Sequence, residues 1–133
     1  MIVDTSAIVA ILRGETDADV FIDALATSTD PSMSAATFLE VAIVVDASRD
    51  PVLSGRLDDL VAAATIRIQA VTKEHAELAR RAYRDFGKGS GHPAGLNFGD
   101  CFTYALARAT GEPLLFKGDD FGRTDVMAAL TPG

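Results

Sequence analysis

Short apolar runs alternate with longer stretches of helical period along this chain, and few folds accept that alternation. Residues 1–3, 31–35, 66–70 and 114–116 read as short strands, and 126–130 as a last edge strand. Helices fit the spaces between them. Residues 7–12 form one, ended at Gly14. Thr16 caps a second, with Val20, Phe21, Ala24 and Leu25 on its inner face. Ser34 caps a third, running to about Ser48, and a fourth spans 52–64. Thr72 caps a helix over 73–86, and Asn97 caps another ending at Thr110 before Gly111. Residues 87–95 hold four glycines and Pro93 and read as a mobile loop; 117–125 reads as a turn. Strands alternating with helices predict an α/β domain built on a mainly parallel sheet. Ligands of such sheets bind at the carboxyl ends of the strands. Attention therefore falls on Asp4, after the first strand, and on the segment after Phe116.

The 133 residues fit one domain over 1–133, and a hydrophobic fraction of 48% supports a real core. No apolar run approaches the ~20 residues of a membrane span. Residues 6–12 are short and lack a preceding basic region, so they make a poor signal peptide. One cysteine, Cys101, makes no internal disulfide, and the expected location is the cytoplasm. The net charge of −7 does not advertise nucleic-acid binding. It is uneven, however: residues 1–64 carry eleven acids and three bases, and 65–133 carry eight acids and nine bases. Lys73, Arg80, Arg81, Arg84 and Lys88 supply most of the basic charge, interleaved with Glu74, Glu77 and Asp85.

Several acids sit where solvent-facing acids are not expected. Glu40 is the only charge between Thr37 and Asp46 in a stretch that is apolar nearly all round, as in a buried helix. Asp100 falls at the third position of a helix that starts after Asn97, where an acid complements the helix dipole. Its neighbours Cys101, Phe102, Tyr104, Ala105 and Leu106 make that helix largely apolar. Asp4 is a possible cap for the first helix, but Thr5 and Ser6 offer hydroxyls for the same task. Asp119 and Asp120 lie in a turn-like stretch, and Asp125 carries no assigned role. Gathered at strand ends, such carboxylates repel and shift toward protonation unless a cation joins them. Mg2+ or Mn2+, which favour oxygen ligands, fits that need. His75 and His92 lie in a charged helix and a loop and are not expected as ligands.

These residues carry a resemblance to the PIN-domain ribonucleases, specifically the VapC toxins of toxin–antitoxin pairs. It rests on MIVDTSAIVAIL at the start, the apolar helix with Glu40, GLNFGDCFTYALA around Asp100 and PLLFKGDDFGRTDV near the end. Each motif is weak alone; four in this order and at this length are specific. The resemblance implies a three-layer α/β/α, PIN-like fold and a Mg2+-dependent endoribonuclease. Asp4, Glu40 and Asp100 become the acidic triad, with Asp4 and Asp100 as direct metal ligands and Glu40 on a metal-bound water or second ion. Both Asp119 and Asp120 fit the fourth acid; Asp120, directly before Phe121, fits the family pattern better. Ser6 corresponds to a hydroxyl that helps orient the site, and Asn97 supports the Asp100 helix or touches substrate. Lys117 departs from the small hydroxyl residue common there and offers a phosphate contact. Arg80, Arg81, Arg84 and Lys88 are the expected RNA-binding rim. The family mechanism is in-line attack of a metal-activated water on RNA. The family also implies a homodimer and a cognate VapB-like antitoxin.

Other readings of an acidic α/β pocket fit less well. A receiver domain needs an aspartate after a middle strand, and 66–70 is followed by Val71-Thr72-Lys73. A haloacid-dehalogenase-type phosphatase wants an aspartate two after Asp4, where Ser6 stands. A non-catalytic metal- and partner-binding domain of the same fold is the remaining alternative.

Overall fold

The structure is a computed structural model that describes residues 1–130; the expected domain bounds also take in 131–133, outside the described residues. Four strands are present, β1 (Ile2–Val3), β2 (Ser32–Ser34), β3 (Arg67–Gln69) and β4 (Leu114–Leu115). They form one sheet in the order β3-β2-β1-β4, with every pair parallel. Ile2 pairs with both Ser32 and Leu114, so the strand nearest the N-terminus lies inside the sheet. Among the described residues six α-helices accompany it: α1 (Thr5–Leu12), α2 (Ala18–Thr27), α3 (Ala35–Asp46), α4 (Pro51–Ala63), α5 (Lys73–Phe86) and α6 (Phe98–Thr110).

Alternation along the strands divides the core into two layers. Val3, Met33 and Leu115 pack with Ile8, Ile11, Phe21, Val41, Val45 and Leu57 from the first four helices. Ile2 and Leu114 face the other way, onto Ala79, Ala82, Tyr104 and Leu106 of α5 and α6. Successive strand residues point to opposite faces, so runs of two or three residues suffice to build both layers. The result is the expected three-layer α/β/α arrangement.

The helix ends follow their capping chemistry, with two corrections. Ser34, Thr72 and Asn97 cap α3, α5 and α6 as predicted. Helix α2 begins after Asp17 without a side-chain cap bond, so Thr16 does not cap it, and Val20 is half exposed. Helix α1 is capped by Asp4 itself, whose side chain accepts from the Ser6 amide. At the far end of α6, Gly111 adopts φ 69°, the left-handed conformation that glycine enters without a Cβ clash.

Two further expectations change. Residues 126–130 do not form a strand: they make one parallel bridge, Leu114 to Ala128. Helix α3 is not buried all round. Thr37, Val41 and Val45 face the core, whereas Leu39 and Ile43 are each 59% exposed. Near-uniform apolarity hid which side packs, because periodicity cannot separate a buried face from an uncovered one.

Candidate active site

The acidic residues are delivered by four different segments. Asp4 follows β1, Glu40 lies on α3, Asp100 lies in the first turn of α6 and Asp120 precedes a 3-10 turn (Phe121–Arg123). The segments meet at the carboxyl end of the parallel sheet, where this architecture places ligands.

Asp4 is 4% exposed and tightly held. Its Oδ2 accepts from the Ser6 amide at 3.0 Å and from Ser6 Oγ at 2.7 Å; its Oδ1 accepts from Thr103 Oγ1 at 2.9 Å. Ser6 Oγ in turn accepts from the Lys117 amide at 2.9 Å, which leaves its one proton for Asp4. Glu40 is fixed by Thr5, whose Oγ1 donates to Oε1 at 2.6 Å. The two hydroxyls after Asp4 therefore hold acids, and the capping expected of them falls to Asp4.

Asp100 sits in a full capping box. Its amide donates to Asn97 Oδ1 at 2.8 Å, and its Oδ2 accepts from the Asn97 amide at 3.0 Å. Burial pushes its carboxyl up to about 6; the Asn97 amide opposes the shift, and the charges of Asp4, Glu40 and Asp120 add to it. The fourth acid felt at Asp100 is thus Asp120. Asp119 instead lines a separate hollow of about 660 Å³ with Phe116, Gly122 and Arg123. Asp125 stands apart, accepting from Tyr104 Oη at 2.6 Å with Arg108 at 3.9 Å.

Gly99 leaves room for the Glu40 carboxylate. A Cβ there would overlap the Glu40 carboxylate. Cys101, next to Asp100, is no competitor for a cation, because burial pushes its thiol up to about 11. His92 accepts the Ala94 amide on Nδ1 at 3.0 Å and packs edge-on against Phe86, within its own loop. Among the described residues no three His, Cys, Asp or Glu side chains close into a ready-made metal cage. The acids form an open group of oxygen donors. An all-oxygen donor set fits a hard, partly hydrated cation better than a soft metal.

The bases expected at the RNA rim differ in what surrounds them. Arg80 lines a hollow of about 360 Å³ with Tyr83, Phe98, Cys101 and Phe102, beside the first turn of α6. Arg81 and Lys88 are exposed, and Arg84 bonds its neighbour Asp85 at 3.1 Å. Lys117, expected as a phosphate contact, is engaged by acids of its own chain. Its ammonium pairs with Glu15 and, at 3.0 Å, with Asp17, both on the link from α1 to α2. Nothing local marks this pairing, because Glu15 and Asp17 lie 102 and 100 residues from Lys117. Thr5, Thr37, Gly99 and Thr103 were missed for the same reason: their importance lies in partners brought by the fold.

An all-parallel four-stranded sheet with acids at its carboxyl end defines the class, and comparison with known proteins agrees. The PIN-domain family model matches residues 1–127. The chain belongs to the PIN-domain family. Within that family it is of the VapC type. It is 59% identical over 130 residues to Ribonuclease VapC28 of Mycobacterium tuberculosis, covering 98% of each chain. Ribonuclease VapC of Mycolicibacterium smegmatis is 50% identical over 129 residues, covering 96% of this chain and 98% of the relative. Among solved structures, Mycobacterium tuberculosis VapC20, a Sarcin-Ricin loop cleaving toxin, aligns with a TM-score of 0.73 at 16% identity, covering 95% of each chain. A toxin-antitoxin complex from Klebsiella pneumoniae aligns with a TM-score of 0.67 at 18% identity, covering 90% of this chain and 88% of that one. At those identities the two structures speak for the fold.

Proposed function

We propose that this protein is a Mg2+-dependent endoribonuclease and the toxin of a type II toxin–antitoxin pair. The observation that carries the reading is that separate segments bring Asp4, Glu40, Asp100 and Asp120 to the sheet's carboxyl end, with hydroxyls and a capping box fixing the first three. Its high-identity relatives are named ribonucleases, which supports RNA as the substrate class. Asp4 and Asp100 are the direct ligands, Glu40 holds an outer water or a second ion, and Asp120 completes the acidic rim. Mn2+ substitutes for Mg2+ in the same oxygen set. When bound, the ion supplies positive charge to the scissile phosphate and a more acidic bound water.

The chain's own residues do the rest. Ser6 and Thr103 orient Asp4 through both carboxylate oxygens. Thr5 keeps Glu40 against the α6 turn. Asn97 keeps Asp100 at the helix start. Arg80 and Arg81 offer charge to the RNA backbone beside an otherwise acidic cleft. A homodimer and a cognate VapB-like antitoxin complete the proposed assembly. No helix among the described residues is long and apolar enough to cross a membrane.

The direct test is mutation of the ligands. Asp4→Asn and Asp100→Asn each reduce Mg2+-dependent RNA cleavage by more than the ~100-fold that loss of an outer partner costs, with the circular dichroism spectrum unchanged. Full cleavage by both variants would sink the mechanism. Metal binding by the wild type without any cleavage would select the non-catalytic alternative.

A further inference from the structure

One turn beneath the acids lies a buried pair of hydroxyls. Thr37 and Thr103 are each 1% exposed, and their Oγ1 atoms are 2.9 Å apart. Thr37 precedes Glu40 by three residues on α3, and Thr103 follows Asp100 by three on α6. Residues three apart share a helix face, so the pair joins the two acid-bearing helices directly below their acids. Thr103 Oγ1 also contacts Asp4 Oδ1 at 2.9 Å. One hydroxyl pair thus touches every segment of the triad.

Proton counting gives the pair a direction. Each hydroxyl has one proton, and an ionised carboxylate only accepts. Thr103 gives its proton to Asp4, so Thr37 must donate to Thr103. Asp4 has about four acceptor sites as a carboxylate. Three are occupied by the Ser6 amide, Ser6 Oγ and Thr103. Both oxygens are therefore fixed, with capacity left for one further partner.

We infer that Thr37 and Thr103 are positioning residues for the acidic site, acting as a one-way relay that orients Asp4 and holds α3 to α6 against carboxylate repulsion. The inference rests on the metal reading above. Core filling alone does not require hydroxyls here, because a matched apolar pair of the same shape costs little. What valines cannot supply is a donor to Asp4 and a tie between the helices. Outer partners of this kind tune metal affinity by orienting the ligand.

The test is calorimetric titration of the folded full chain with Mn2+, paired with RNA cleavage across a metal series. Thr103→Val is expected to weaken Mn2+ binding about tenfold and to raise the half-saturating metal concentration for cleavage in step. Thr103→Ser, which keeps the donor, is expected to bind as the wild type does. Thr37→Val weakens binding in the same direction but less, and the Thr37→Val/Thr103→Val double variant binds no more weakly than Thr103→Val alone. Wild-type Mn2+ affinity in Thr103→Val overturns the relay while leaving the nuclease reading intact. Absence of Mn2+ binding by the wild type overturns both. Should Thr103→Val fail to fold, Thr37→Val carries the decision, since Thr103 still reaches Asp4 there: unchanged affinity and an unchanged metal series overturn the relay.

Discussion

At Gly99 a single hydrogen atom decides where Glu40 rests. Any larger residue puts its Cβ into the Glu40 carboxylate. Gly99 is half-buried in the first turn of α6, where alanine's helix advantage over glycine is at most ~1 kcal/mol. Gly99→Ala is therefore expected to leave thermal stability near or slightly above wild type while cutting cleavage by at least ~10-fold through displacement of Glu40. Melting curves and RNA assays on one preparation separate the two effects; unchanged activity would show that Glu40's placement is not critical. Asp100 gives a second residue-level expectation. Its folded-state carboxyl titrates at about 6 against an ordinary value of 3.8. A raised folded value means the native state binds more protons than the unfolded one in that window, so stability falls as pH rises. The contribution is complete below 3.8 and lost as pH passes through about 6. In chelator, wild-type melting temperature should drop between those pH values, and Asp100→Asn should flatten that drop. A wild-type profile no steeper than that of the variant would rule out the burial of charge at Asp100. Asp4 was legible in the sequence because it follows a short apolar strand, and Glu40 and Asp100 because each is an acid in a largely apolar helix. Gly99, Thr37 and Thr103 were not, because a glycine or threonine in a helix carries no mark until its cross-helix partner is known.

At the scale of elements, α3 shows both what a sequence pattern gives and what it withholds. Its length, its Ser34 cap and its single acid were readable. Its exposed side was not, since Leu39, Ile43 and Val44 look no different from core residues in a string of letters. In the fold, Leu39, Ile43 and Val44 border a hollow of about 440 Å³ with Glu40, Phe98 and Phe102. Phe98 is 77% exposed there, and its ring meets Phe102 edge-on at 5.0 Å. Contiguous apolar surface of this sort marks a contact site. If the proposed homodimer forms through this face, Ile43→Glu is expected to leave only the 14.0 kDa monomer in light scattering after size exclusion. A variant that keeps the wild-type mass would place the subunit contact elsewhere. The strand predicted over 126–130 shows a second limit. Those residues have strand-like composition, yet they touch the sheet only through Leu114 and Ala128, because a bridge depends on how β4's edge is presented.

For the whole molecule, the difficulty is electrostatic. An acidic chain of net charge −7 must approach a polyanion. Lys117 is engaged by Glu15 and Asp17, and Arg84 by Asp85. Of the α5 bases expected at the RNA rim, Arg80 lines the hollow beside the first turn of α6 and Arg81 is exposed. Reversing both to glutamate should weaken RNA binding across sequences and lower the salt slope by about 1 per lost phosphate contact. Binding titrations at several salt concentrations provide the check, and an unchanged slope would put the RNA on another face.

The sheet order also sets a timetable. β1 is made first, yet it is completed on one side only when Leu114 and Leu115 arrive to pair with Ile2 and Val3. Asp4's own amide donates to the Leu115 carbonyl at 3.0 Å, and Ser6 receives its bond from Lys117. Contacts so distant in sequence form late and slowly. On the ribosome, Asp4 and Glu40 are made well before Leu115 and Lys117, so a growing chain carries these two acids before the bonds that anchor Asp4 and Ser6 to the last strand can form.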